Sequence, residues 1–291
     1  MKKNRILRVT MVVFTLAFAA SAVDAAKLTF KFTNIAVKGA MDTRVFGINN
    51  GGVMVGAYVD GSGISHGFML KNGKVTVLDD PKGTNTNCIA INTAGDVVGW
   101  YINSSGAPQA FLWHGKKFTD IVPTGSLNSE AFGINDKGKI VGYFVDSSNA
   151  THGFVKSGNK YKQLDVPGAT ATLAWGINNP GLVSVQWTDT SGNTEGALYN
   201  GKKYATINVP GAVSSYPHGI DTAGDVVYSW TDSTGIFHGA IRTGGKIYKF
   251  NDPKGTGGTY GDSINDNHVV AGVYHTGSGG AIAGGFKATY K

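Results

Sequence analysis

Seven side chains in this sequence carry chemistry and fall at related places: Arg44, Asn87, Glu130, Tyr216, His218, Tyr260 and Asp262. Each lies one or three residues ahead of a recurring Gly-Ile-Asn-type triplet, at a position whose residue type changes from copy to copy. A guanidinium such as that of Arg44 grips a carboxylate through two parallel hydrogen bonds. Tyr216 and Tyr260 combine an apolar ring with a polar tip, which suits flanking a sugar ring or a peptide side chain. Glu130 and Asp262 form a candidate carboxylate pair for glycan cleavage, which needs a separation of about 5–10 Å. The competing reading is that opposite charges simply neutralise one another and the other differences are drift. No G-x-S-x-G elbow, H-E-x-x-H pair or phosphate loop accompanies these residues, so no catalytic residue is assigned.

The elements that position them come from a repeat. Its phase marker falls at Gly47, Ala90, Gly133, Gly176, Gly219 and Ser263, at intervals of 43 residues and finally 44. The next residue is always Ile, and the one after is Asn or Asp: Asn49, Asn92, Asn135, Asn178, Asp221 and Asn265. Eleven residues past the marker stands an aromatic: Tyr58, Tyr101, Phe144, Trp187, Trp230 and Tyr274. Such agreement at fixed phase marks one repeated structural unit. Each unit reads as four short strands, such as FGIN, VMVGAYV, HGFML and KVTVLD, separated by turn-rich NNGG, DGSGIS and NGK. Four strands in about 43 residues is the size of a propeller blade. The last copy stops after its third strand, and KFTNIAVKGA near the N-terminus aligns with the fourth-strand segment KYKQLDVPGA. The sequence therefore predicts an all-β, six-bladed β-propeller over residues 26–291, the last blade closed by the N-terminal strand. The seven variable residues then line one mouth of its central channel.

Residues that recur in phase read as scaffold. The Asn49-type residue is expected to form an Asx-turn. His66, His152 and His238 share one repeat position on different blades, too far apart for a metal, and read as structural hydrogen-bonding groups. The loops VDGSG, VDSSN, TDTSG and TDSTG supply one Asp each, too few for calcium. No metal or cofactor is expected. Lys31, Lys74, Lys117, Lys160, Lys203 and Lys246 start the outermost strands; they guard an exposed edge or form a cationic ring for an acidic surface or polymer.

The pattern G-I-N-x-x-G-x-V-V-G followed by H-[AG]-F, seen here in SHGF, PQAF, THGF, TEGA, FHGA and AGGF, resembles the HAF family of probable extracellular repeats in bacteria. The resemblance covers about residues 27–291 and implies a secreted bacterial β-propeller. It carries no established reaction and therefore no catalytic residue.

Residues 1–25 read as a secretory signal peptide: a basic start with Lys2, Lys3, Arg5 and Arg8, an apolar run from Val9 to Ala20, and small residues before a cleavage point after Ala25. The formal charge of the full chain is +7. The leader carries four positive charges and Asp24, which leaves +4 on the remainder, a mild bias with no dense basic run, and this argues against nucleic acid. One cysteine, Cys88, excludes an intrachain disulfide. The expected product is a secreted or periplasmic monomer without a membrane span in its mature chain. As a binding module it would present a glycan or protein ligand to the channel mouth; the alternative is a hydrolase or lyase acting on an extracellular carbohydrate there.

Overall fold

The structure, a computed structural model, describes residues 28–277 and 282–291, without the side chains of residues 282 and 283. The leader read at residues 1–25 lies outside the described residues. Among the described residues every regular element is a β-strand, and no helix is long and apolar enough to cross a membrane.

Each repeat is an antiparallel meander. Repeat 1 runs Asp42–Ile48, Met54–Val59, Ser65–Lys71, Lys74–Val77, in that order across its sheet. The first strands of the later repeats are Thr84–Ile91, Ser126–Ile134, Ala171–Ile177, Ser214–Ile220 and Gly258–Asn265. Repeat 6 takes its fourth strand from the N-terminal segment: Phe30–Ile35 pairs antiparallel with Ile282–Tyr290, Phe30 opposite Tyr290. The rings of Phe30 and Phe32 lock that strand against Phe250, Tyr290 and Phe286.

Hydrogen bonding divides the strands into four sheets of four and one of eight. The larger sheet is repeats 3 and 4, joined where Thr151 meets Ala171 in parallel register. That single bridge makes the separate sheets fewer than the sequence repeats. Burial follows the repeat more closely. Neighbouring repeats share a buried cluster: Val55 and Leu78 with Cys88 and Phe111, for example, or Ile207 and Val209 with Tyr228 and Trp230. Ala271 of repeat 6 packs in the same way against Val45 and Phe68 of repeat 1. The first strands touch one another in succession, and that of repeat 6 touches that of repeat 1. The fold is an all-β β-propeller with its first strands around a channel.

The two ends of these strands are built differently. At the far end, the Asn of each triplet closes its own hairpin: Asn49 Oδ1 accepts from the Val53 amide at 3.0 Å, and Asn178 Oδ1 from Leu182 at 2.8 Å. The Asx-turn explains the acceptor half of the side chain. Its amide then donates to the next repeat, from Asn49 to the Asn92 carbonyl, Asn92 to Asn135, Asn135 to Asn178 and Asn178 to Asp221. Asn265 donates likewise to the Asn49 carbonyl at 2.9 Å. An amide offers both an acceptor and a donor, which a carboxylate does not. Asp221 therefore interrupts the belt. Gly52, Gly95, Gly138, Gly181 and Gly224 follow in these hairpins with positive φ, where His268 takes their place in repeat 6.

Candidate functional site

A cavity of about 520 Å³ fills the other end of the channel, where the first strands begin. Arg44, Asn87, Glu130, Tyr216, His218, Tyr260 and Asp262 all line it. Leu173, the corresponding residue of repeat 4, does not. Six isoleucines, Ile48, Ile91, Ile134, Ile177, Ile220 and Ile264, form a collar that borders both this cavity and a smaller one at the Asn belt.

A bulge aims the residues just before the marker. Pairing slips between Val45 and Gly47, Cys88 and Ala90, Ala131 and Gly133, Ala174 and Gly176, and Gly261 and Ser263. In repeat 5 the slip runs from Pro217 to Ile220. The skipped residues include Phe46, Ile89, Phe132, Trp175, His218 and Asp262, and all six line the cavity. An unpaired bulge residue is re-aimed in this way. Residues two places earlier are brought close by glycines on the adjacent strand. A Cβ at Gly56, Gly99, Gly142 or Gly272 would fall 1.9 to 2.0 Å from the backbone oxygen of Arg44, Asn87, Glu130 or Tyr260.

Much of the cavity wall is aromatic. Phe132 stacks on Trp175 with centroids 4.0 Å apart, and Trp175 meets His218 at 4.4 Å. The Trp175 indole N–H donates to Gln186 Oε1 at 2.9 Å, which fixes the ring. A second run joins Tyr216 to Phe237 at 5.5 Å, Phe237 to Tyr260 at 4.4 Å and Tyr260 to His275 at 4.8 Å. The tyrosines do not flank an open slot as the sequence suggests, because Phe237 from the third strand of repeat 5 occupies the space between them. Trp100 differs from these rings: it lines the cavity, opposite Asn87 in register, and stacks on no other ring among the described residues.

Polar side chains lie among these rings. An Arg44 terminal nitrogen pairs with Asp42 Oδ2 at 2.9 Å, so the guanidinium charge is already compensated and is not held open for a ligand carboxylate. Asn87 is buried and donates to the Asn85 carbonyl at 2.8 Å. Glu130 Oε1 accepts from the Tyr143 hydroxyl at 2.7 Å. Burial pushes the Glu130 carboxyl up to about 7, against the opposing pull of that hydrogen bond. His218 Nδ1 faces the Gly261 carbonyl at 3.0 Å and Asp262 Oδ1 at 3.2 Å. Glu130 and Asp262 belong to repeats 3 and 6 and have separate partners. Arg44 Nε, Asp42 Oδ1, Asp262 Oδ2 and Ser229 Oγ are buried without a hydrogen-bond partner. The cavity lining as a whole mixes polar side chains with aromatic rings, which suits a ligand whose hydroxyl groups both give and take hydrogen bonds.

The in-phase histidines lie elsewhere and hold the scaffold. His66 bridges Asp79 at 2.8 Å and Asp60 at 3.2 Å; His152 bridges Asp165 at 2.8 Å and Asp146 at 3.4 Å. His238 lies between Asn251 and Asp232. The loop aspartates simultaneously accept backbone amides of their own turns, as Asp60 does from Ser62 and Ile64. Among the described residues no group of three or more His, Cys, Asp or Glu is placed to hold a metal.

The sequence reading missed Trp100, Gln186, Ser229 and Phe237. The first three lie opposite Asn87, Leu173 and Tyr216 on the second strand. Their signal was present: they immediately precede the in-phase aromatic, at a position that varies between repeats.

No family model and no curated protein matches the chain. Solved structures do. A lectin of Aleuria aurantia, described as a six-bladed β-propeller with a fucose recognition mode, is 13% identical over 87% of this chain and 97% of its own, with a TM-score of 0.50. The SapL1 lectin in complex with α-methyl fucoside is 13% identical over 84% of this chain and 92% of its own, with a TM-score of 0.55. A protein assigned as TolB from Agrobacterium tumefaciens is 12% identical over 77% of this chain and 88% of its own, with a TM-score of 0.59. At these identities the likeness is one of fold: the chain is similar to β-propellers of diverse sequence.

Proposed function

We propose that this chain is an exported, closed six-bladed propeller that binds a glycan in the cavity at the mouth of its channel. Supporting six blades are the six in-phase repeats and the cluster shared by each neighbouring pair. Supporting closure are the Phe30–Ile35 pairing and the Asn265 bond to the Asn49 carbonyl. Export rests on the basic, apolar and small-residue pattern of residues 1–25, and its test is N-terminal sequencing of the product.

The observation that carries the ligand reading is Trp100, with an unstacked ring, lining one cavity with the polar side chains of Arg44, Ser229 and Asp262. A sugar presents an apolar C–H face and a set of hydroxyls, matching both features. The fucoside complexes of the lectins above support a glycan by analogy of fold alone. A panel of immobilised neutral glycans is the test. The parent protein retains a subset of the panel, and Trp100→Ala loses it while melting normally. Equal retention by parent and variant contradicts the proposal.

A second reading rests on Glu130, whose carboxyl is raised to about 7 in this cavity. A carboxyl protonated near neutrality is a general acid in the glycan-cleaving alternative, with Asp262 as its partner. Mass analysis of bound glycans separates the readings: shortened products that vanish in Glu130→Gln support cleavage, and unaltered glycans support binding.

A further inference from the structure

We propose that the chain has a second binding site, for an acidic polysaccharide, in a groove between repeats 3 and 4. The groove holds about 430 Å³ and opens at the Asn-belt end, away from the channel-mouth cavity. Its apolar lining comes from Val155, Ile177 and Val183 with the rings of Tyr161 and Tyr199; Lys139, Lys160 and Lys162 supply the charge. Lys162 Nζ donates to the Tyr199 hydroxyl at 2.5 Å and lies 5.1 Å from the centre of that ring. Lys202 and Lys203 stand on the hairpin that also contributes Gly201 to the groove. Among the described residues none of these five lysines has a carboxylate within ion-pair distance, whereas Lys82 pairs with Asp120.

The cluster belongs to this interface and not to the repeat. Where repeat 3 has Lys162, its neighbours in phase have Thr76, Thr119 and Ala205; where it has Lys139, they have Val53, Asp96 and Leu182. The fold amplifies the asymmetry. Every hairpin between third and fourth strands turns at the belt end and carries a lysine: Lys74, Lys117, Lys160, Lys203 or Lys246. Asp60, Asp146, Asp189 and Asp232 cap hairpins at the opposite end. Asp96, Asp136, Asp221, Asp225 and Asp266 also stand at the belt end, on the hairpins between first and second strands, so the groove with its local excess of lysines, and not the whole face, is the place where an anionic residue seats.

The occupant is a carbohydrate polyanion, carrying uronate or sulfate groups, because the groove is concave and can take a ring between tyrosines and lysines. A bilayer would require protruding apolar groups at this end. The strongly exposed Met41, Leu127 and Val213 instead lie at the cavity end, just ahead of or at the start of first strands.

The test is titration of the mature chain with an oligogalacturonate and, in parallel, with its neutral methyl ester. The acid form should bind, the ester should not, and added salt should weaken the binding as lysine contacts release counterions. The combined variant Lys139→Gln, Lys160→Gln, Lys162→Gln should weaken it by about tenfold or more. A matched variant, Lys74→Gln, Lys117→Gln, Lys246→Gln, removes equal charge elsewhere and should lose less than about threefold. Lys160→Gln alone, on an exposed hairpin, serves if the combined variant melts early, and should still weaken binding measurably. Trp100→Ala should leave this binding intact, so the groove and the channel site fail or stand separately. Equal losses in the two charge-matched variants, binding of the methyl ester, or tighter binding of anionic vesicles or DNA than of the oligogalacturonate would overturn the proposal.

Discussion

The two ends of the first strands are a few residues apart in sequence and opposite in what they tolerate. At the belt end, Asn49, Asn92, Asn135, Asn178 and Asn265 perform one task, each closing a hairpin and reaching the next repeat. At the cavity end, the bulge residues Phe46, Ile89, Phe132, Trp175, His218 and Asp262 share a position and almost no chemistry. The strand separates the duties of assembly and recognition by placing them on either side of an isoleucine collar. Changes at the belt should therefore alter stability, and changes at the cavity should alter binding.

The largest effect tests the assembly side. Removing residues 28–35 strips the outer strand from repeat 6 and its Phe30 and Phe32 rings from Phe250, Tyr290 and Phe286. The loss should exceed the roughly 3–5 kcal/mol typical of truncating one buried phenylalanine, and denaturant melts would record it. An unchanged midpoint would mean that the N-terminal strand does not support the ring.

Glu130 is the one place where the cavity should influence stability strongly. Its carboxyl is raised from 4.5 to about 7 by burial. Between those values the folded chain holds a proton that the unfolded chain has released. Folded protein then binds more protons, so this group makes stability fall as pH rises through the window, with the loss constant above it. Glu130→Gln should remove that slope, and above the window the variant should exceed the parent by on the order of 3 kcal/mol. Parallel stability–pH curves for the two proteins would contradict the buried carboxyl.

At the belt, Asn135→Ala removes the donor to the Asn178 carbonyl and the acceptor for the Lys137 and Lys139 amides. Thermal melts should show a loss of roughly 1–3 kcal/mol. A smaller gain comes from the opposite change. Asp221 stands where an amide would reach the Asn265 carbonyl, and burial raises its carboxyl. Asp221→Asn should complete the belt and stabilise the protein by about 0.5–1.5 kcal/mol. Destabilisation by that substitution would show that the belt is not what fixes this position.

Much of this division was legible in the sequence. The constant Ile-Asn pair located the collar and the belt, and the variable residues ahead of it named seven groups that line one cavity. The bulge was not legible, because it falls within the last few residues of each first strand, where too few positions follow it to display the change of face. Without it the contribution of the second strand could not be placed, and Trp100, Gln186 and Ser229 were passed over. Phe237 was hidden for another reason: it enters from a hairpin far along the repeat, a contact set by curvature between units. The Arg44 expectation changed because Asp42, two residues away on the same strand face, takes part of its hydrogen bonding.

The most direct test of the division is a crystal structure of the mature chain with the tightest ligand from the neutral-glycan panel. The account predicts a sugar in the channel-mouth cavity, its apolar face on Trp100 and its hydroxyls among the polar side chains of the lining, Arg44 and Asp262 included. A sugar bound elsewhere, with the cavity filled only by water, would contradict it.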